Sequence, residues 1–165
     1  MHRPGLLPDE NYAQALPEDV RFACTRVPVI DQAVQSLYAY GYIHNHARLW
    51  LASYIVHLRK VHWRVGADWM YSHLLDGDIA SNYLSWQWVA GTLNDKPYLF
   101  TAKSIEPFTP ESWHSRGTSI DVTDEMMDIF AHSQATVSQA ESSEYGWQEP
   151  EVRATPPEGF ALQAP

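Results

Sequence analysis

The sequence predicts an all-α protein, a bundle of helices joined by short loops, and three observations predict it. Between residues 31 and 90 the helix-like stretches are closed by Gly41, by the Asp76-Gly77-Asp78 corner and by Gly91. Such residues punctuate helices because glycine accepts the left-handed conformation and an aspartate caps exposed N–H groups. One stretch, Ala47-Arg48-Leu49-Trp50-Leu51-Ala52-Ser53-Tyr54-Ile55-Val56, is apolar nearly all round, as in a helix surrounded by others. At 165 residues and 45% hydrophobic side chains the chain has the size of one domain with one core.

Residues 1–30 carry four prolines and no sustained period, which predicts an N-terminal arm with at most a short helix around Glu18–Ala23. Asp31 is the expected N-cap of a first long helix running to Tyr40, and Gly41 stops it. A second helix is expected from Asn45 to Lys60, a third from Gly66 to Leu75 and a fourth from Asp78 to Ala90. Residues 92–122 are rich in turn formers and aromatics, and a short helix is expected at Asp124–Gln134. The Ser, Glu, Pro and Ala bias of 138–165 predicts an acidic, flexible tail, leaving 31–137 as the helical domain.

The net charge of −9 weighs against nucleic-acid binding by charge alone. The acidity is concentrated, however: residues 121–165 hold nine Asp/Glu against one Lys/Arg, whereas residues 1–120 hold eleven against ten. The single Cys24 excludes an internal disulfide and a multi-cysteine zinc site and suits a reducing cytoplasm. No apolar run approaches the ~20 residues that span a bilayer, and the first residues lack a signal-peptide core, so no membrane is expected. His44-Asn45-His46 lacks the remaining ligands of a nuclease metal site, a lone Asp76-Gly77-Asp78 is weak as a cation motif, and no metal is expected.

Polar residues inside apolar helices need partners, because an unpaired buried polar group costs about 1–3 kcal/mol. Asn45 and Arg48 share a face of the second helix, and the guanidinium calls for a carboxylate or a ligand anion. Asp78, Asn82 and Trp86 fall at i, i+4 and i+8, which stacks an acceptor, an amide and an indole on one face. That set suits a heteroaromatic ligand. Two readings stay open on pattern alone: a ligand pocket, or a helix cap at Asp76 or Asp78 with Asn82, Trp86 and Trp88 as core residues.

Taken in order, Gly41-Tyr42-Ile43-His44-Asn45, Arg48-Leu49-Trp50, Trp63-Arg64-Val65-Gly66-Ala67, Asp76-Gly77-Asp78-Ile79-Ala80-Ser81-Asn82 and Trp86-Gln87-Trp88-Val89-Ala90-Gly91 resemble the flavin domain of the photolyase/cryptochrome family. The match covers about 65 residues with the family's spacing, which makes it far more specific than one short motif. The resemblance implies the second half of the helical FAD-binding domain. It places Asp76 and Asp78 beside FAD, pairs Arg48 with Asp76, sets Asn82 opposite flavin N5, and makes Trp86 and Trp63 the first two indoles of the photoreduction chain. It also places Asn45 and Trp88 at the mouth of the cavity, with His46 and Leu49 beside the substrate. His46 stands where the family often has Arg, and Leu49 where Met is common in cyclobutane-dimer photolyases. Leu99-Phe100-Thr101-Ala102-Lys103 replaces the usual Arg and Phe-Asn-Pro stretch, and Trp113-His114-Ser115-Arg116-Gly117-Thr118 resembles a bacterial branch of the family.

The antenna domain and the first half of the helical domain have no counterpart here, and the third tryptophan of the chain falls near Glu10. The resemblance therefore carries three functions. One is light-driven electron transfer from reduced FAD to pyrimidine dimers in DNA, with the remaining half supplied by a companion polypeptide. The second is a cryptochrome-like photosensor or redox module. The third is a truncated relative without flavin or activity. A hole on Trp63 is expected to stall unless Trp50, Trp69 or a tyrosine such as Tyr54 relays it outward.

Overall fold

The structure is a computed structural model that describes residues 5–75, 77–94, 96–138 and 147–151. It contains helices α1 (Glu18–Arg21), α2 (Pro28–Tyr40), α3 (Asn45–Ser53), α4 (Trp63–His73), α5 (Ile79–Ala90), α6 (Ala102–Ile105) and α7 (Asp124–His132). Among the described residues there is no strand, only an isolated bridge between Ala13 and Val61. The all-α expectation holds.

Helix α2 begins three residues ahead of the expected cap, at Pro28, whose missing N–H is no loss in a first turn. Asp31 is therefore not the N-cap. Its carboxylate instead accepts from the Thr25 N–H, the Thr25 hydroxyl and the Arg26 N–H at 2.8, 2.7 and 3.1 Å, closing the loop that leads into the helix. Gly41 ends α2 in the left-handed conformation (φ +62°), and Leu75 packs so closely on it that a Cβ there would lie 2.4 Å from Leu75 Cγ.

Helix α3 sits at the centre, packed on α2, α4 and α5, and every residue from 51 to 60 is buried. Its last turn widens into a π-helical turn at Tyr54–Leu58. There His57 Nε2 donates to the Val89 carbonyl of α5 at 2.8 Å, while burial pushes the imidazole down to about 4 and keeps it neutral. Arg59 then pairs with Asp19 at 2.7 Å, both side chains buried. Lys60 extends its ammonium to the carbonyls of Phe130 and Ala131, both at 3.0 Å, and so caps the C-terminal end of α7.

The segment expected as an arm carries the short helix α1 and also adds Leu7, Tyr12, Val20 and Ala23 to the core. Of the expected tail, 147–151 returns to the domain: the Trp147 N–H donates to the Phe22 carbonyl at 2.6 Å. Glu149 accepts from Arg21 Nε (2.6 Å), Trp69 Nε1 (3.1 Å) and His73 Nε2 (3.0 Å). Residues 139–146 and 152–165 of that tail lie outside the described residues. Among the described residues no helix is long and apolar enough to cross a membrane.

Candidate functional site

Two helix starts and one helix face converge on a cleft of about 160 Å³ between α3 and α5, with Met70 and Leu74 of α4 completing its lining. Helix α3 starts where His44 Nδ1 accepts from the His46 N–H at 3.4 Å, an unusual cap that leaves Asn45 exposed as the first residue. One turn later come Arg48 and Leu49, both half-buried at the cleft. Arg48 Nε donates to the Ile43 carbonyl at 3.1 Å, and its guanidinium lies 5.7 Å from the centre of the Tyr42 ring. Asp76, the partner expected for Arg48, lies outside the described residues.

Asp78 caps α5, its Oδ1 accepting from the Ser81 N–H at 2.8 Å, and it also lines the cleft. The cap and the pocket wall, alternatives in the sequence, are thus both realised in one side chain. One turn on, buried Asn82 donates through Nδ2 to the Ala67 carbonyl of α4 at 2.8 Å. This bond fixes the amide orientation, since a carbonyl accepts only from the NH₂ end. Another turn on, Trp86 is 1% exposed and forms part of the wall. Its ring lies against the α4 backbone at Gly66, where an added Cβ would sit 2.2 Å from Cζ3. Only glycine permits that approach.

The expected site residues do not all gather in the cleft. Asn45, Arg48, Leu49, Asp78, Asn82 and Trp86 do. Trp63, the first residue of α4, lines no part of the cleft; it is 6% exposed and edge-on to Tyr83 of α5 at 5.7 Å. Trp88, 41% exposed, lines a neighbouring open depression with Asn45, Leu49, Leu84 and Leu93. His46 lines neither and instead stacks on Trp50 (6.0 Å) and tilts against Phe108 (5.3 Å). Ser81 and Ser85 also line the cleft, and they were legible as the i+3 and i+7 partners of Asp78.

The donor set fits a flavin. Asn82 offers an amide oxygen held from behind, Asp78 a carboxylate, Arg48 a cation and Trp86 an apolar wall, the mixture a flat ring with polar edges requires. The cleft, at about 160 Å³, is smaller than the roughly 300–1,000 Å³ of a complete small-molecule pocket.

The family model for the FAD-binding domain of DNA photolyase matches residues 14–120. A deoxyribodipyrimidine photo-lyase of Streptomyces griseus is 45% identical over 71 residues, 43% of this chain and 16% of the relative. Cryptochrome-1 of Arabidopsis thaliana is 36% identical over 87 residues, 53% of this chain and 12% of the relative. The chain thus spans less than a fifth of the length of either. Among solved structures, an archaeal photolyase from Sulfolobus tokodaii with two FAD molecules superposes with a TM-score of 0.55 at 29% identity, over 69% of this chain and 27% of that one. The chain belongs to the family of photolyase FAD-binding domains, whose cofactor is FAD.

Proposed function

We propose that the cleft between α3 and α5 is the flavin site of this chain and that its residues support light-driven electron transfer. The observation that carries this reading is the alignment of Asp78, Asn82 and Trp86 on one face of α5, opposite Arg48. When bound, FAD supplies the light absorption and the one-electron chemistry. Asp78, with Asp76, would hold the ring through carboxylate acceptors, Arg48 would balance its negative charge, and Asn82 Oδ1 would accept a hydrogen bond from a ring N–H. Trp86, in the cleft wall, would be the nearest electron donor to a bound flavin, and Trp63 would replace its electron. Burial of Trp86 keeps water from the indole during the transfer.

Repair of pyrimidine dimers in DNA is the activity proposed for the whole assembly, with a companion polypeptide covering the open side of the cleft and Asn45, Leu49 and Trp88 at its mouth. A reducing cytoplasmic setting suits the single Cys24. One observation favours a photosensor or redox module as the second reading. His46, at the position beside the substrate, is engaged by the rings of Trp50 and Phe108.

The test is reconstitution of the purified chain with FAD, followed by blue light and an external reductant. Bound flavin that bleaches in the wild type and bleaches at least ten-fold more slowly in Trp86→Phe supports the reading. Failure to retain flavin, or an unaffected Trp86→Phe, contradicts it.

A further inference from the structure

Tyr83 and Asp68 lie beside Trp63 without any part in the cleft. The Tyr83 ring meets the indole edge-on at 5.7 Å between centroids, and its phenol O–H donates to Asp68 Oδ1. The Tyr83 ring is partly exposed and Asp68 is exposed, so the pair sits at the surface end of a path that begins at fully buried Trp86. Trp86 reaches α4 at Gly66, and Trp63 lies on the same helix three residues earlier, a rise of about 4.5 Å.

We propose that Tyr83, with Asp68 as its proton acceptor, is the terminal electron donor that discharges Trp63. This rests on the flavin reading above. An electron that leaves Trp86 for light-excited oxidised flavin is replaced by one from Trp63, and that one by an electron from Tyr83. The Tyr83 O–H bond breaks as the electron departs, and the proton passes along the existing hydrogen bond to the Asp68 carboxylate. Tyr83 ends as a neutral phenoxyl radical, Asp68 has gained one proton, and the flavin one electron.

Charge sets the direction. The Arg64 guanidinium lies 5.3 Å from the centre of the Trp63 ring, so a positive hole on that indole is disfavoured. A neutral phenoxyl carries no such penalty, because its proton has already left. The Asp68 hydrogen bond raises the phenol above its ordinary value, followed by burial and the Asp68 charge, while Arg64 acts the other way and Tyr71 adds to the rise. Tyr83 therefore stays protonated at neutral pH and has a proton to give. The arrangement also provides what a path ending at Trp63 lacks, an exit at the surface.

The experiment is pulse radiolysis of the full chain without flavin, using azide radicals to oxidise tryptophan and following the growth of tyrosyl absorbance as indolyl absorbance decays. Tyr83→Phe keeps the ring packing and removes only the hydroxyl. It should remove at least half of the intramolecular tyrosyl growth, and Trp63→Phe should remove a similar share. Asp68→Asn should slow the growth at least several-fold by replacing the carboxylate acceptor. Undiminished tyrosyl growth in Tyr83→Phe, or an unchanged rate in Asp68→Asn, overturns the proposal. Because no flavin enters this assay, a chain that fails to retain FAD counts against the cofactor reading alone.

Discussion

Two carboxylates, Glu149 on the outer surface of α4 and Asp78 at the cleft, are treated in opposite ways. Glu149 collects donors from Arg21, Trp69 and His73, three side chains from two helices, around one carboxylate. Burial works against its charge, yet the hydrogen bonds from His73 and Arg21 outweigh it and hold the carboxyl below its usual range. Among the described residues Asp78 accepts from the Ser81 N–H through one oxygen. Its neighbours follow the same rule: Asn82 is anchored through Nδ2 to Ala67, and Arg48 through Nε to Ile43. Asp78, Asn82 and Arg48 are each fixed by backbone and keep further hydrogen-bonding capacity. The saturated cluster holds the fold, and the anchored but unsaturated groups line the cleft proposed as the flavin site.

Substitutions on the two sides should therefore separate stability from flavin retention. The largest loss of stability is expected from Asp19→Ala, which strands buried Arg59 and should cost about 3–5 kcal/mol in urea unfolding. Acid should cost nearly as much through His57, held at about 4 against 6.5 in the unfolded chain. The unfolded chain takes up a proton below 6.5 that the folded one refuses until about 4, so stability falls as pH drops through that window, by about 3 kcal/mol. His57→Gln should flatten this slope in a pH series of urea midpoints. Gly66→Ala, which drives a methyl into the Trp86 ring, should cost about 1–3 kcal/mol and also weaken flavin retention, since it displaces a wall of the cleft. Glu149→Gln should cost about 1–2 kcal/mol at neutral pH and leave flavin untouched. The wild type should lose the same contribution as pH falls below about 4.5.

Much of this was legible in the sequence, and the misses have physical causes. Gly41 and Gly91 end α2 and α5 as their conformational freedom predicts, and the spacing of Asp78, Asn82 and Trp86 puts all three on one wall. The start of α4 lies at Trp63 rather than Gly66 because His62 caps it with its own ring nitrogen, which accepts from the Arg64 N–H at 3.2 Å. A histidine cap leaves no signature among the usual capping residues, and His44 does the same for α3. The π-helical turn at Tyr54–Leu58 also carries no one-residue signal. Glu149 docks across more than seventy positions of sequence, beyond any local pattern. The pairs Gly66–Trp86, Ala67–Asn82 and Asp68–Tyr83 join α4 to α5 on either side of the corner between them. Treating the two helices as an antiparallel hairpin was the signal that could have found them.

The most direct measurement is FAD affinity, by titration of flavin fluorescence, for Asp78→Asn beside Glu149→Gln. Asparagine caps a helix as well as aspartate, so Asp78→Asn should leave the urea midpoint within about 0.5 kcal/mol of wild type. The account predicts that Asp78→Asn lowers FAD affinity several-fold while Glu149→Gln leaves it unchanged. Equal affinity in wild type and Asp78→Asn, or a larger loss in Glu149→Gln than in Asp78→Asn, would contradict the assignment of the cleft as the flavin wall.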